Sequence, residues 1–339
     1  MDTDKIIRTI CFFESKPSQL TVTKLSTIEK ILTESNYMVQ TKRLCTQSKD
    51  IKELEKTVND SSLYLSVGSL TLDEAVSQMA DFLTAGNTSF NIDLTSEKIT
   101  LRFTYLLFQI IKEDPGKTFL FTFVFNNRPS TPYFPSAAYE KNGYAIGLQP
   151  TNLSYDCRTL EEWLDKMKAA WSEIYDLFYK DPEFLGIDSS IAPILEVKGS
   201  LVKFVNRLGY SFSSSVTTDI YLKITNFLKE NNPKPTGLCG LMFPCLEDSA
   251  LAREYEKGNF SIERNIYLSL HSGLGIDTYP VGTDEDQNRV LDILRLVQGL
   301  SNKYRKPLSV RFVSDGKAKI REKTNFQNEF LQDVVIRPV

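Results

Sequence analysis

Histidine is almost missing from this chain of 339 residues, which has only His271. A zinc site built on several histidines is thereby excluded. Cysteine is sparse as well: Cys11, Cys45, Cys157, Cys239 and Cys245 are scattered and odd in number. That pattern suits a reducing compartment and argues against a disulfide framework. No apolar run approaches the roughly eighteen residues of a membrane span. Charge of one sign is never concentrated, and 40 Lys+Arg against 43 Asp+Glu leave a net charge of -3. Without a basic face, a nucleic-acid partner is not expected. The start, MDTDKIIRTICFFESK, is acidic with a short apolar run, unlike a secretory leader. Repeats and low-complexity stretches are also lacking, and the loop at 231–235 is too short for a linker. The expectation is a cytoplasmic protein with one α/β domain over 1–339, no membrane or nucleic-acid partner, and a small-molecule ligand. Homo-oligomerisation is left open.

β-branched and aromatic runs predict strands at 6–13, 37–44, 62–67, 89–93, 118–125, 145–149, 184–188 and 308–313. Several are almost wholly apolar, as strands buried on both faces are. Between them lie helical patterns. At 71–83 the spacing of Leu72, Ala75, Val76, Met79 and Phe82 predicts one buried stripe, and at 160–179 Leu160, Trp163, Leu164, Met167, Trp171, Ile174 and Phe178 predict another. Thr283 with Asp286 predicts the start of a helix to about Tyr304, and Gly199-Ser200 opens a shorter one that ends at Gly209. Alternating strands and helices predict mostly parallel strands surrounded by helices.

The turns GIDSSIAPI, GLCGLMFPCLEDS and GLGIDTYPVGTDED are read as places where a strand hands over to a helix. Ligands of α/β folds gather at such strand ends. Asp93, Asp188 and Asp277 end apparent strands or turns, so they are candidate ligands for a divalent cation such as magnesium or calcium. Asp188 and Asp277 are also candidate acid/base groups, with His271 assisting. Each aspartate has a plainer reading as a turn or cap residue bonded to nearby backbone N–H groups. Arg128 and Tyr133, in the proline-fixed loop NNRPSTPYFPSAAY, and Tyr279 are candidate substrate-binding residues. Cys239 and Cys245, spaced C-x5-C, do not form a zinc pattern and read as small apolar fillers, with a redox role left open.

Taken in order, IRTIC, TPYFPSAAY with AIGLQ, GIDSSIAPI, GLCGLMFP with EDSALAREYEKGNFSIE, and GLGIDTYPVGTDED resemble domain of unknown function 711, also termed uncharacterised protein family 0210. The resemblance implies an α/β barrel similar to the pyruvate formate-lyase-like fold. Radical chemistry is not implied, because Gly209 in Arg207-Leu208-Gly209-Tyr210 has a helix-ending role and the wrong spacing. The functional expectation is an enzyme acting on a small polar metabolite at the barrel mouth, with or without a divalent metal. A non-catalytic metabolite sensor or protein-interaction module is the alternative.

Overall fold

A computed structural model describes residues 5–194 and 197–339. Its strands are β1 (Ile6–Glu14), β2 (Met38–Val39), β3 (Lys42–Thr46), β4 (Tyr64–Ser69), β5 (Thr88–Asp93), β6 (Phe121–Phe125), β7 (Gly143–Leu148), β8 (Phe184–Asp188), β9 (Gly275–Pro280) and β10 (Leu308–Val313). They form a ten-stranded sheet with helices around it. The described ladders are parallel except β1 with β7 and β6 with β10. No ladder closes the strand order into a ring among the described residues. Among those residues, too, no helix is long and apolar enough to cross a membrane.

The chain divides into two compact units. The first comprises Met1–Asn91, Arg128–Ile191 and Ile224–Gly240, and the second Ile92–Asn127, Ala192–Lys223 and Leu241–Val339. In the first, the strand order is β8-β7-β1-β3-β4-β5, with β2 on the side of β1. Helix Leu160–Phe178 packs near β8, and its start is fixed by a capping box between Thr159 and Glu162. All seven stripe residues expected of it are buried. In the second unit the order is β6-β10-β9. Helix Gln287–Tyr304 covers β6 and β10, with Val290, Ile293, Leu294 and Val297 turned inward. Its cap is Asp286, whose side chain accepts from the Asn288 N–H.

Several predicted boundaries move for identifiable reasons. The strand expected at 37–44 is broken into β2 and β3, because the backbone bonds of β1 switch from Gln40 N–H to the Thr41 carbonyl between them. The start of the strand expected at 118–125, residues 118–120, lies in a 3-10 helix, Pro115–Leu120, started by Pro115 and by Asp114, which accepts from Gly116 N–H. The helix expected at 71–83 is two short helices, Leu72–Ser77 and Met79–Thr84. The break falls at Gln78, whose amide bonds Lys49 O at 2.5 Å and Ile51 N at 2.9 Å. Val76, expected in the buried stripe, is instead 50% exposed. Gly275 and Pro280 read as turn residues, yet they bound β9, so Asp277 sits inside a strand and not in a turn.

Candidate functional site

Asp188 is the last residue of β8 and is fully buried. Its carboxylate oxygens accept from Thr131 Oγ1 at 2.7 Å, Ser190 Oγ at 2.6 Å, Ser190 N at 3.0 Å, Leu238 N at 2.9 Å and Cys239 N at 3.0 Å. Two consecutive backbone N–H groups pointing at one anion form a nest, the concavity with which loops bind phosphates and carboxylates. Here the protein's own side chain fills it. The loop reaches this shape through left-handed backbone at Gly237 (φ +68°) and at Cys239 (φ +46°). A Cβ on Gly237 would run into the Asp188 carboxylate and come within 2.7 Å of Thr131 Cα. Gly237→Ala is therefore expected to cost at least about 2 kcal/mol, combining backbone strain with a displaced carboxylate. Urea denaturation checks this, and an unchanged midpoint would show that the loop relaxes freely.

Both oxygens are engaged by five protein donors, so the carboxylate ties three chain segments together. Tyr133 is woven into the same region. Its hydroxyl, which can donate one proton, lies 3.0 Å from Leu148 O and 3.2 Å from Ser190 O. Its ring passes so close to β7 that a Cβ on Gly147 would lie 2.8 Å from the hydroxyl oxygen. Burial, and then Asp188, raises the Tyr133 pKa well above that of a free phenol, so it stays protonated. Cys239 is held at the same turn by Sγ contacts to Thr236 O at 3.2 Å. Burial pushes its thiol up to about 11, with Asp188 adding to the shift, so a thiolate is disfavoured at neutral pH.

Asp277 belongs to the second unit and is engaged within it. The register of β9 on β10 jumps from Ile276↔Val310 to Tyr279↔Phe312, leaving Asp277 and Thr278 opposite Arg311 alone. This bulge, with Thr278 at φ +40°, aims Asp277 at the guanidinium. Arg311 Nε donates to Asp277 Oδ1 and Nη2 to Glu247 Oε1, both at 2.6 Å. All three side chains are buried, and the Arg311 guanidinium lies 4.9 Å from the Phe119 ring centroid. Burial lowers the Arg311 pKa, but Asp277 and Glu247 more than offset it, so the net shift is upward. The thiol of Cys245, whose N–H donates to Asp277 O, is raised by burial and then by Asp277.

The remaining expected residues have separate surroundings. His271 ends the helix Ile262–His271, with Nδ1 2.8 Å from Ser272 Oγ and its ring against Tyr267. Burial and then Lys306 lower its pKa, favouring the neutral ring. Asp93 is exposed and bonds Thr95 N at 2.9 Å, the turn role that Asp commonly takes. Arg128 is exposed. Tyr279 packs edge-on against Tyr255 at 5.3 Å and is only 1% exposed, so it belongs to an aromatic cluster. Among the described residues no group of three or more His, Cys, Asp or Glu side chains is arranged to hold a metal ion. Two surface cavities of the first unit, of about 150 and 300 Å³, contain none of the expected site residues.

Two arginines were not among the expected residues: Arg43 on β3 and Arg311 on β10. Each carried a signal, since a positive charge stands inside an otherwise buried strand, KRLCT in one and LSVRFV in the other. Also unexpected are buried polar atoms without a hydrogen-bond partner among the described residues, including Thr9 Oγ1, Gln149 Oε1 and Asn152 Oδ1 in the first unit. No curated protein matches the chain. The family described as Uncharacterised ACR (DUF711) matches residues 87–327, a span that holds the Asp188 turn, the Gly237–Gly240 nest and the Asp277 bulge, and the chain belongs to that family.

Proposed function

We propose that the protein recognises a small polar metabolite in the first unit, where β1 lies beside β7. The observation that carries this reading is the group of orphaned polar atoms there. Thr9 on β1 pairs with Gly147 on β7, and Gln149 and Asn152 follow directly after β7. These three side chains are at most 2% exposed, yet Thr9 Oγ1, Gln149 Oε1 and Asn152 Oδ1 lack protein partners among the described residues. Buried polar atoms in native proteins are nearly always bonded, so three exceptions on paired or adjoining segments support something polar that fits against them.

Recognition is the step shared by the enzyme and sensor readings, and the geometry supports it more than a carboxylate-and-metal reaction centre. Asp188 is saturated by protein donors, and Asp277 is paired with Arg311. A closed barrel similar to the pyruvate formate-lyase-like fold stays a proposal.

The test is a thermal-shift screen of amino acids, sugars, carboxylic acids and phosphates, followed by calorimetry. A ligand at a hundred times its Kd stabilises the folded state by about 2.7 kcal/mol, enough for a clear shift. Thr9→Val keeps the side-chain shape and removes the orphaned hydroxyl. It is expected to leave the free protein as stable as before, or more so, while weakening the ligand about tenfold. A screen in which no polar molecule shifts the melting temperature would sink the proposal.

A further inference from the structure

We infer that the metabolite carries an oxyanion, a carboxylate or a phosphate, and that Arg43 is the residue that binds it. This rests on the reading of the first unit as a polar-metabolite site. Arg43 stands on β3, in register with Cys11 of β1 and Tyr64 of β4, and is 9% exposed. Its guanidinium is held between two rings, 5.2 Å from the Phe134 centroid and 5.8 Å from that of Tyr64. Its bonds go to neutral acceptors: Nε to Thr41 Oγ1 at 3.2 Å and Nη1 to Pro132 O at 3.4 Å. Both are longer than charge-assisted bonds, which fall near ~2.8 Å. Nη2 donates to nothing among the described residues.

Arg311 supplies the internal comparison. It is buried to nearly the same degree, 7% exposed against 9% for Arg43. Yet Arg311 holds two carboxylates at 2.6 Å, and Arg43 holds none among the described residues. A buried charge without a counter-charge is strongly unfavourable, and an anionic ligand would complete the pair. The two pKa shifts run in opposite directions for this reason: burial and then Arg8 push Arg43 down to about 10, whereas the Arg311 carboxylates reverse the effect of burial.

The surroundings add positive charge and a hydrogen-bond donor. Arg8 sits at the register shift between Ile7 and Thr9 on β1, and its charge acts on both Arg43 and Tyr133. Thr9, next in the chain, has the orphaned hydroxyl. A planar guanidinium fork matches the paired oxygens of a carboxylate or a phosphate, and a neighbouring cation and hydroxyl strengthen the same preference.

The experiment is calorimetry on the full chain with three probes: inorganic phosphate, succinate and the neutral isostere succinamide. Phosphate or succinate is expected to bind at least tenfold more tightly than succinamide, and which of the two binds identifies the oxyanion. Arg43→Gln is expected to lose at least tenfold in affinity with its far-UV circular dichroism unchanged. Arg43→Lys keeps the charge without the fork and should bind more weakly than wild type. Succinamide binding as tightly as the oxyanions would overturn the inference while leaving the polar site standing. Equal affinity in Arg43→Gln, or no binding of either oxyanion, would overturn it as well. The wild-type comparison of phosphate and succinate with succinamide tests the oxyanion preference even if neither variant folds. Failure of every polar molecule in the wider screen removes both readings together.

Discussion

Arg311→Met is expected to destabilise the second unit by about 3–5 kcal/mol, because it takes away the buried cation that Asp277 and Glu247 both pair with. The pairing itself is not the source of that figure. Bringing three charged groups out of water costs much of what their attraction returns, and the large effect comes from removing one member alone. The control is the triple variant Arg311→Met, Asp277→Leu, Glu247→Met, which removes every charge and should recover most of the loss. The bulge that directs Asp277 toward Arg311 is a backbone feature, anchored by the bond from Cys245 N to Asp277 O at 2.9 Å, so it survives the side-chain changes. Both tryptophans, Trp163 and Trp171, lie in the first unit and do not report on this region. Hydrogen exchange of peptides covering β9 and β10, beside urea denaturation by circular dichroism, is the suitable measurement. An Arg311→Met protein within about 1 kcal/mol of wild type would mean that the carboxylates find water or protons cheaply, and the buried-triad account would fall.

Long periodic segments were legible in the sequence because burial imposes their pattern. The helix Leu160–Phe178 buries every residue its spacing selects, and β8 and β10 begin and end where the apolar runs do. What failed to show was anything decided by a partner distant in sequence. Gly275 and Pro280 carry the local marks of a turn, and only pairing with β10 makes the segment between them a strand. Gln78 has no reason of its own to break a helix, but its amide is claimed by Lys49 and Ile51. The same limit governed the site. Asp188 and Asp277 were recognisable as special from their G-I-D turns, whereas their roles depend on Leu238 and Cys239 in one case and on Arg311 in the other. Arg43 was visible as a charge in a strand, but its neutral cage is assembled from Thr41, Tyr64, Pro132 and Phe134, and no spacing rule links them.

Asp188→Asn is expected to be among the most damaging single changes in the first unit, at about 3–5 kcal/mol. The side chains are nearly isosteric, so packing is preserved and the effect isolates hydrogen bonding. Hydrogen bonds to a charged acceptor contribute about 1.5–3 kcal/mol each, and five converge on this carboxylate. Asparagine keeps one oxygen and turns the other position into a donor. That NH2 group must then face either the Thr131 hydroxyl and Leu238 N–H or the Ser190 and Cys239 donors, and each alternative sets donor against donor. The losses do not add fully, because the nest can widen, which is why the expected total lies below the sum of five bonds. Fluorescence of Trp163 and Trp171 follows the unfolding of this unit directly. The same variant separates an anchor from a metal ligand. For an anchor, magnesium, calcium or a chelator leaves the wild-type melting temperature unchanged, since no ion binds the folded state at this position. A wild-type shift with either ion that disappears in Asp188→Asn, with stability otherwise intact, would return Asp188 to the chemistry of the site and remove the anchoring role assigned to it.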